Sequence, residues 1–154
     1  MAIRTRQIFK GGELVQKGQL YGSRLTKQNL LDLIKGRDFI FFYGPDIGYI
    51  EKHFNIKIRD KYPCINLLRI FKRYLPARGS YKLADLEKDF KITRTTAQYK
   101  TNIFRLLHDW NDPAKRRRCL AYNMEDVLNL VRLKHIIFKQ YNIKKFNYFR
   151  KKLK

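Results

Sequence analysis

The chain has 154 residues, of which 44% are hydrophobic and 14% aromatic, enough to build an ordinary core and too many for a disordered chain. Thirty-five Lys and Arg stand against 13 Asp and Glu, a net charge of +22. That balance calls for a polyanionic partner, nucleic acid by default, with an anionic membrane surface or a ribosome-like assembly as the other ways of meeting it. Cys64 and Cys119 are isolated, and His53, His108 and His135 are far apart, which excludes a disulfide scaffold and a zinc site. No apolar run reaches the ~18–20 residues of a membrane span. Residues 1–6 carry no signal-peptide core, so the expected compartment is the cytoplasm.

Residues 2–9 read as a strand, Gly11-Gly12 as a tight turn, and residues 13–21 as a second strand, which together make a hairpin. Residues 23–26 open a helix with apolar positions at Leu30, Leu31, Leu33 and Ile34, closed by Gly36. The continuous apolar run from Asp38 to Tyr43 predicts a strand buried on both faces. Gly44-Pro45 turns the chain into a helix over 47–54, with Asp46 at its start. A carboxylate there serves either as a helix cap or as a site residue at a strand end.

Residues 60–68 predict a short strand running into a helix over 67–74, and 76–80 a loop. Another helix opens at Ser80, with Leu83, Leu86 and Phe90 at core spacing. Thr93 or Thr95 is expected to cap a helix from Ala97 to Trp110, buried through Ile103, Phe104, Leu106, Leu107 and Trp110. Asn111-Asp112-Pro113 breaks it, and Pro113 suits the first turn of a last helix running to about Tyr141.

On that helix Tyr122 and Asp126 are four residues apart, about 40° around the axis. With Tyr122 at 0°, Glu125, Asn129, Arg132 and Lys139 fall at roughly 260–340°, and Leu120, Met124, Val127, Leu130 and Val131 at roughly 80–200°. The pair is therefore expected on the margin between a watery and a buried face. Two basic clusters flank it. Lys115, Arg116, Arg117 and Arg118 lie one turn before Tyr122. In the end of the chain, 144–154, Lys144, Lys145, Arg150, Lys151 and Lys152 interleave with aromatics. Either can neutralise phosphates, and the tail can also stack on unpaired bases. The plain alternative is a solvated helix turn and a solvated terminus.

The string Leu107-His108-Asp109-Trp110, a short polar link, and then Tyr122-Asn123-x-x-Asp126-Val127 resembles the last motif of the 3′–5′ exonucleases of ribonuclease-H-like fold, tyrosine branch, and of related prokaryotic nucleases. Asp46-Ile47-Gly48-Tyr49-Ile50 resembles their second motif, and Ser80-Tyr81-Lys82-Leu83-x-x-Leu86-Glu87 a further element. The resemblance implies an α/β fold, a ribonuclease-H-like mixed β-sheet flanked by helices, over a single domain, residues 1–143, with 144–154 as a basic aromatic tail. It implies Asp46 and Asp126 as ligands of Mg²⁺ or Mn²⁺, with Tyr122 beside the attacking water.

The family's remaining two carboxylates come from a D-x-E on the first strand, where i,i+2 spacing places both on one face. No D-x-E occurs before Asp46; the only one is Asp85-x-Glu87, in a helical pattern. Asn66 stands where the relatives carry Asp. The chain thus reads as N-terminally truncated relative to the family. Two-metal hydrolysis is then expected only if another segment or subunit supplies the first strand. The expected partner is nucleic acid, DNA or RNA, as a single-stranded 3′ end. The alternatives are a catalytically dead nucleic-acid-binding domain and a basic structural or assembly protein.

Overall fold

The computed structural model describes residues 2–9, 12–96, 99 and 102–144, with 2–9, 12–18 and 103 described by backbone alone. The chain divides into two units, Met1–Gly22 with Lys82–Leu133, and Ser23–Tyr81 with Lys134–Lys154.

The first unit begins with the expected hairpin. Strand β1 (Ala2–Phe9) pairs antiparallel with β2 (Gly12–Gln19), from Ala2 opposite Gln19 to Phe9 opposite Gly12. Of the expected Gly-Gly turn, Gly12 opens β2 and Gly11 lies outside the described residues. Helices α5 (Leu83–Asp89), α6 (Ile103–Asn111) and the first part of α7 (Pro113–Gln140) complete the unit. The Gln19 amide donates to the Leu120 carbonyl at 2.5 Å and ties the hairpin's end to α7.

Helix α6 departs from the expected boundaries. Its cap is Asn102, whose side chain accepts from the Arg105 N–H at 2.9 Å, and the expected start, residues 97–101, lies largely outside the described residues. Thr95 is no cap, because its N–H and hydroxyl are held by Glu125 of α7. The buried face of α6 is also rotated. Phe104 and Leu107 are 79% and 54% exposed, while Asp109 is buried and Leu106 and Trp110 are half-buried. Asp109 is drawn inward by the Tyr99 hydroxyl, which donates to it at 2.9 Å, and a satisfied carboxylate can occupy a position an apolar pattern would have given to Leu.

Helix α7 presents the main correction. Its buried residues are Cys119, Asn129, Leu133 and Ile137, all within about 60° of Tyr122 around the axis. The stripe assigned to the core, Leu120, Met124, Val127, Leu130 and Val131, is only half-buried. Tyr122 and Asp126 accordingly point to the same side of the helix as these residues and are themselves half-buried, and Asn129, expected on the watery face, is fully buried.

In the second unit, α1 (Lys27–Ile34) is capped by Thr26, whose hydroxyl accepts from the Asn29 N–H at 3.2 Å, and buries Leu30 and Ile34. Gly36 follows it at φ +70°, the left-handed conformation expected after a helix end. Strand β3 (Ile40–Phe42) pairs parallel with β4 (Cys64–Asn66), Ile40 opposite Cys64 and Phe42 opposite Asn66. The run 38–43 thus yields three strand residues, and all three are half-buried, not buried on both faces. With β4 as its only strand partner among the described residues, β3 is an edge.

Helix α2 (Asp46–Phe54) follows β3, and a short helix α3 (Ile58–Lys61) takes up part of what was expected to be strand. Helix α4 (Leu67–Tyr74) follows β4 without a break. Ile47, Ile58, Ile65, Leu67, Ile70 and Phe71 are buried in this unit, and Phe138 of the end of α7 meets Phe41 edge-on at 6.3 Å. Each unit carries a two-stranded sheet, one antiparallel and one parallel. This is a mixed α/β set of elements in which helices predominate.

Candidate functional site

Asp126 and Tyr122 are organised by a residue that the sequence did not single out. Arg94 is 5% exposed and forks onto Glu87, Nε to Oε2 at 2.9 Å and Nη2 to Oε1 at 2.5 Å. The same Nη2 donates to Asp126 Oδ1 at 2.6 Å. Glu87, fully buried on α5, also accepts from the Asn129 amide at 2.9 Å, and Asn129 accepts in turn from Arg132 at 3.0 Å. The face of Tyr122 carries the Arg94 guanidinium, 4.9 Å from the ring centre, and Tyr99 packs edge-on against the same ring at 5.6 Å. Two carboxylates and a phenol ring therefore converge on one guanidinium, with the Asn129 amide joining through Glu87, and the planar fork suits the bidentate half of that arrangement.

The electrostatics follow from burial set against this pairing. Burial pushes the Asp126 carboxyl above the ordinary aspartate value, although the hydrogen bond and charge of Arg94 oppose it. Burial also raises the Tyr122 phenol, and the Asp126 charge adds to the rise. For Arg94, burial favours the neutral form, but its hydrogen bonds to Glu87 and Asp126 outweigh that and hold it firmly protonated. One helical position before Asp126, Glu125 behaves in the opposite way. Burial would raise it, yet the N–H and hydroxyl groups of Thr95 and Thr96 all donate to its carboxylate and bring it down to about 2.

Asp46 lies in the second unit, at the turn that follows β3. It is the first residue of α2 and not its cap: Pro45 holds that position, and no side chain caps the helix. The residue is exposed, yet its carboxyl is desolvated enough to sit above the ordinary aspartate value, against a backbone hydrogen bond from Tyr43 that lowers it. Gly44 makes the turn at φ +59°, a conformation that strains any side chain. Asn66, at the end of β4, fastens this turn: its Nδ2 donates to the Gly44 carbonyl at 2.9 Å while its Oδ1 caps α4 by accepting from the Leu68 N–H at 3.0 Å. An Asp in that place would keep the cap and lose the donor. The amide has a structural job that a carboxylate in its place could not do.

The basic cluster before Tyr122 is split. Lys115 pairs with Asp112 at 3.2 Å and lies 3.8 Å from Asp109, and Arg116 donates to the Trp110 carbonyl at 3.1 Å with its guanidinium 5.4 Å from the Trp110 ring. Arg117 and Arg118 face solvent. The opposition between the cations and the α7 dipole is thus answered in part by Asp109 and Asp112, the latter also capping the helix through the Ala114 N–H at 2.9 Å. Lys144 is exposed; Lys145, Arg150, Lys151 and Lys152 lie outside the described residues.

A family model for the RNase H superfamily matches residues 10–138, most of the chain. The chain belongs to the RNase H superfamily. No curated protein and no solved structure matches it. Nucleases of the RNase H superfamily generally use divalent metal ions, and the donor set around Asp126 does not fit such an ion as it stands. The guanidinium of Arg94 already supplies the positive charge between Glu87 and Asp126, with both carboxylate oxygens on a single nitrogen. Among the described residues no three His, Cys, Asp or Glu side chains converge. Likewise among the described residues, no helix is long and apolar enough to cross a membrane.

Sequence reasoning missed Glu87, Arg94 and Asn129. Asn129 had a visible signal, since Tyr122, Asp126 and Asn129 follow i, i+4, i+7 spacing on one face. Glu87 ends the element over residues 80–87, in a helical pattern where only Leu83, Leu86 and Phe90 are at core spacing, and of Asp85-x-Glu87, set in α5, Glu87 is buried while Asp85 is half-exposed. Arg94 lies in a segment without helix or strand, where no periodicity marks a buried cation.

Proposed function

We propose that this chain is a nucleic-acid-binding domain of the RNase H superfamily, akin to its 3′–5′ exonucleases, acting in the cytoplasm where Cys64 and Cys119 stay thiols. The observation that carries the reading is the family match over residues 10–138, and the +22 charge supplies the affinity for a polyanion. By the resemblance to those exonucleases, Asp46 in the second unit and Asp126 in the first would each be a carboxylate for Mg²⁺ or Mn²⁺, and Tyr122 would orient the attacking water. Bound there, such ions would supply Lewis-acid chemistry for phosphodiester hydrolysis. Arg94 holds the Asp126 carboxylate and Tyr122 ring in place without them, so hydrolysis requires both that Arg94 be displaced from Asp126 and that another segment or subunit bring the D-x-E carboxylates. Arg117, Arg118 and the basic tail then hold the backbone of a single-stranded 3′ end.

The Arg94 pairing favours a second reading, in which the domain binds nucleic acid and has no catalysis of its own. The two part on one experiment: digestion of a 3′-labelled single strand with Mn²⁺, alongside binding measured with and without the ion. Turnover abolished by Asp126→Ala and reduced by Tyr122→Phe supports the nuclease reading. Binding that falls steeply with salt, ignores Mn²⁺ and comes without turnover supports the second. Absence of any binding at low salt refutes both and leaves a basic structural or assembly protein.

A further inference from the structure

Charge is unevenly shared along the chain. Residues 23–81 hold twelve Lys and Arg against five Asp and Glu, and residues 134–154 hold eight against none, so +15 of the +22 belongs to the second unit. Helix α4 concentrates part of it. Its sequence, LLRIFKRY, buries Leu67, Ile70 and Phe71 and exposes Arg69, Lys72 and Arg73, which span about 100° of the opposite face. The helix contains no acid, and no carboxylate pairs with any of the three cations among the described residues. The helix dipole accounts for Lys72 and Arg73 in the last turn. It disfavours Arg69 near the N-terminus, where an anion is preferred.

Aromatic rings flank this face. Lys72 Nζ lies 5.7 Å from the centre of the Tyr81 ring, and the Arg73 guanidinium 5.8 Å from that of Tyr74. Tyr74 meets Tyr141, which is 37% exposed, at 5.6 Å with the rings inclined by 47°. Cations held over rings, ending in an accessible ring pair, combine the two features that single strands bind: point charges for successive phosphates, and a π-face for an unpaired base. The helix is capped by Asn66, whose amide holds the Gly44 turn just before Asp46, so α4 and Asp46 belong to the same unit.

We propose that Arg69, Lys72 and Arg73 of α4, together with the Tyr74–Tyr141 ring pair, form a binding surface for single-stranded nucleic acid. The inference rests on the nucleic-acid reading above and adds a surface that reading does not use. Phosphates lie along the three cations and a base stacks at Tyr141. Duplex has no unpaired base to offer and gains from the charges only.

The test is fluorescence anisotropy of the full chain with labelled oligo-dT, oligo-rU and a hairpin duplex over a salt series. The expected result for Arg69→Gln/Lys72→Gln/Arg73→Gln is roughly tenfold or more loss of affinity at low salt, and a log–log salt slope shallower by about 2. All three sites are solvent-facing, and circular dichroism verifies that the fold is kept. Tyr141→Ala is expected to weaken oligo-dT and oligo-rU about fivefold or more with an unchanged slope, and to leave duplex binding alone. A triple variant that binds like the parent protein overturns the proposal, as does loss confined to Arg117→Gln/Arg118→Gln. Equal loss of duplex and single strand on Tyr141→Ala overturns the stacking role. If the parent protein binds anionic lipid vesicles and none of the oligonucleotides, the nucleic-acid reading itself falls.

Discussion

Replacing Arg94 by Met removes one side chain and leaves two carboxylates facing each other. Arg94 contacts Glu87 at 2.5 and 2.9 Å and Asp126 at 2.6 Å, and the side chains of Glu87 and Asp126 are 1% and 30% exposed. Removing one partner of a buried pair costs ~3–5 kcal/mol because the other charge is stranded. Nearly all of that falls on Glu87. Asp126 has water to turn to, so its share is closer to the ~0–1 kcal/mol of an exposed pair. A loss of that size is a large part of the ~5–15 kcal/mol that holds a domain of this kind. It would lower the melting temperature by about 6–20 °C.

The double variant Arg94→Met/Glu87→Gln should recover most of the loss, since an amide in place of Glu87 strands no charge and can still accept from the Asn129 amide. Urea unfolding of parent, singles and double closes the cycle. The reasoning is refuted if Arg94→Met costs less than ~1 kcal/mol, or if the double variant is no more stable than the single.

Glu125, at about 2 against an ordinary glutamate near 4.5, stabilises the fold fully above pH 4.5 and loses that contribution as pH falls from 4.5 toward about 2. Discounted for the screening of a half-exposed group, the contribution is ~1–2 kcal/mol. The stability difference between the parent and Glu125→Gln should be largest above pH 5 and vanish toward pH 2; a pH-independent difference in denaturant midpoints would contradict it. Asn66→Asp keeps the α4 cap but sets a carboxylate against the Gly44 carbonyl, which should cost ~1–2 kcal/mol at pH 7 and be relieved once acid protonates the new carboxyl. An unchanged melting temperature at pH 7 would show that the amide donor is dispensable.

The local pattern by itself determined most of the elements. Hairpin, Thr26-led helix, the strand–turn–helix around Gly44-Pro45, and the Pro113 helix start all rest on residues whose backbone preferences act over a few positions, and each stands where it was expected. The superfamily was legible too, and the match over residues 10–138 agrees with it at that level. What the tertiary structure decided is which faces are buried. Periodicity equates apolar with inside, and that equation failed on α6 and α7, where Asp109 and Asn129 are buried because Tyr99 and Glu87 satisfy them, while Phe104 and Leu107 stay outside. Arg94 is the extreme case. Its partners lie seven and thirty-two residues away, and only their convergence in space gives a buried cation a reason to be there.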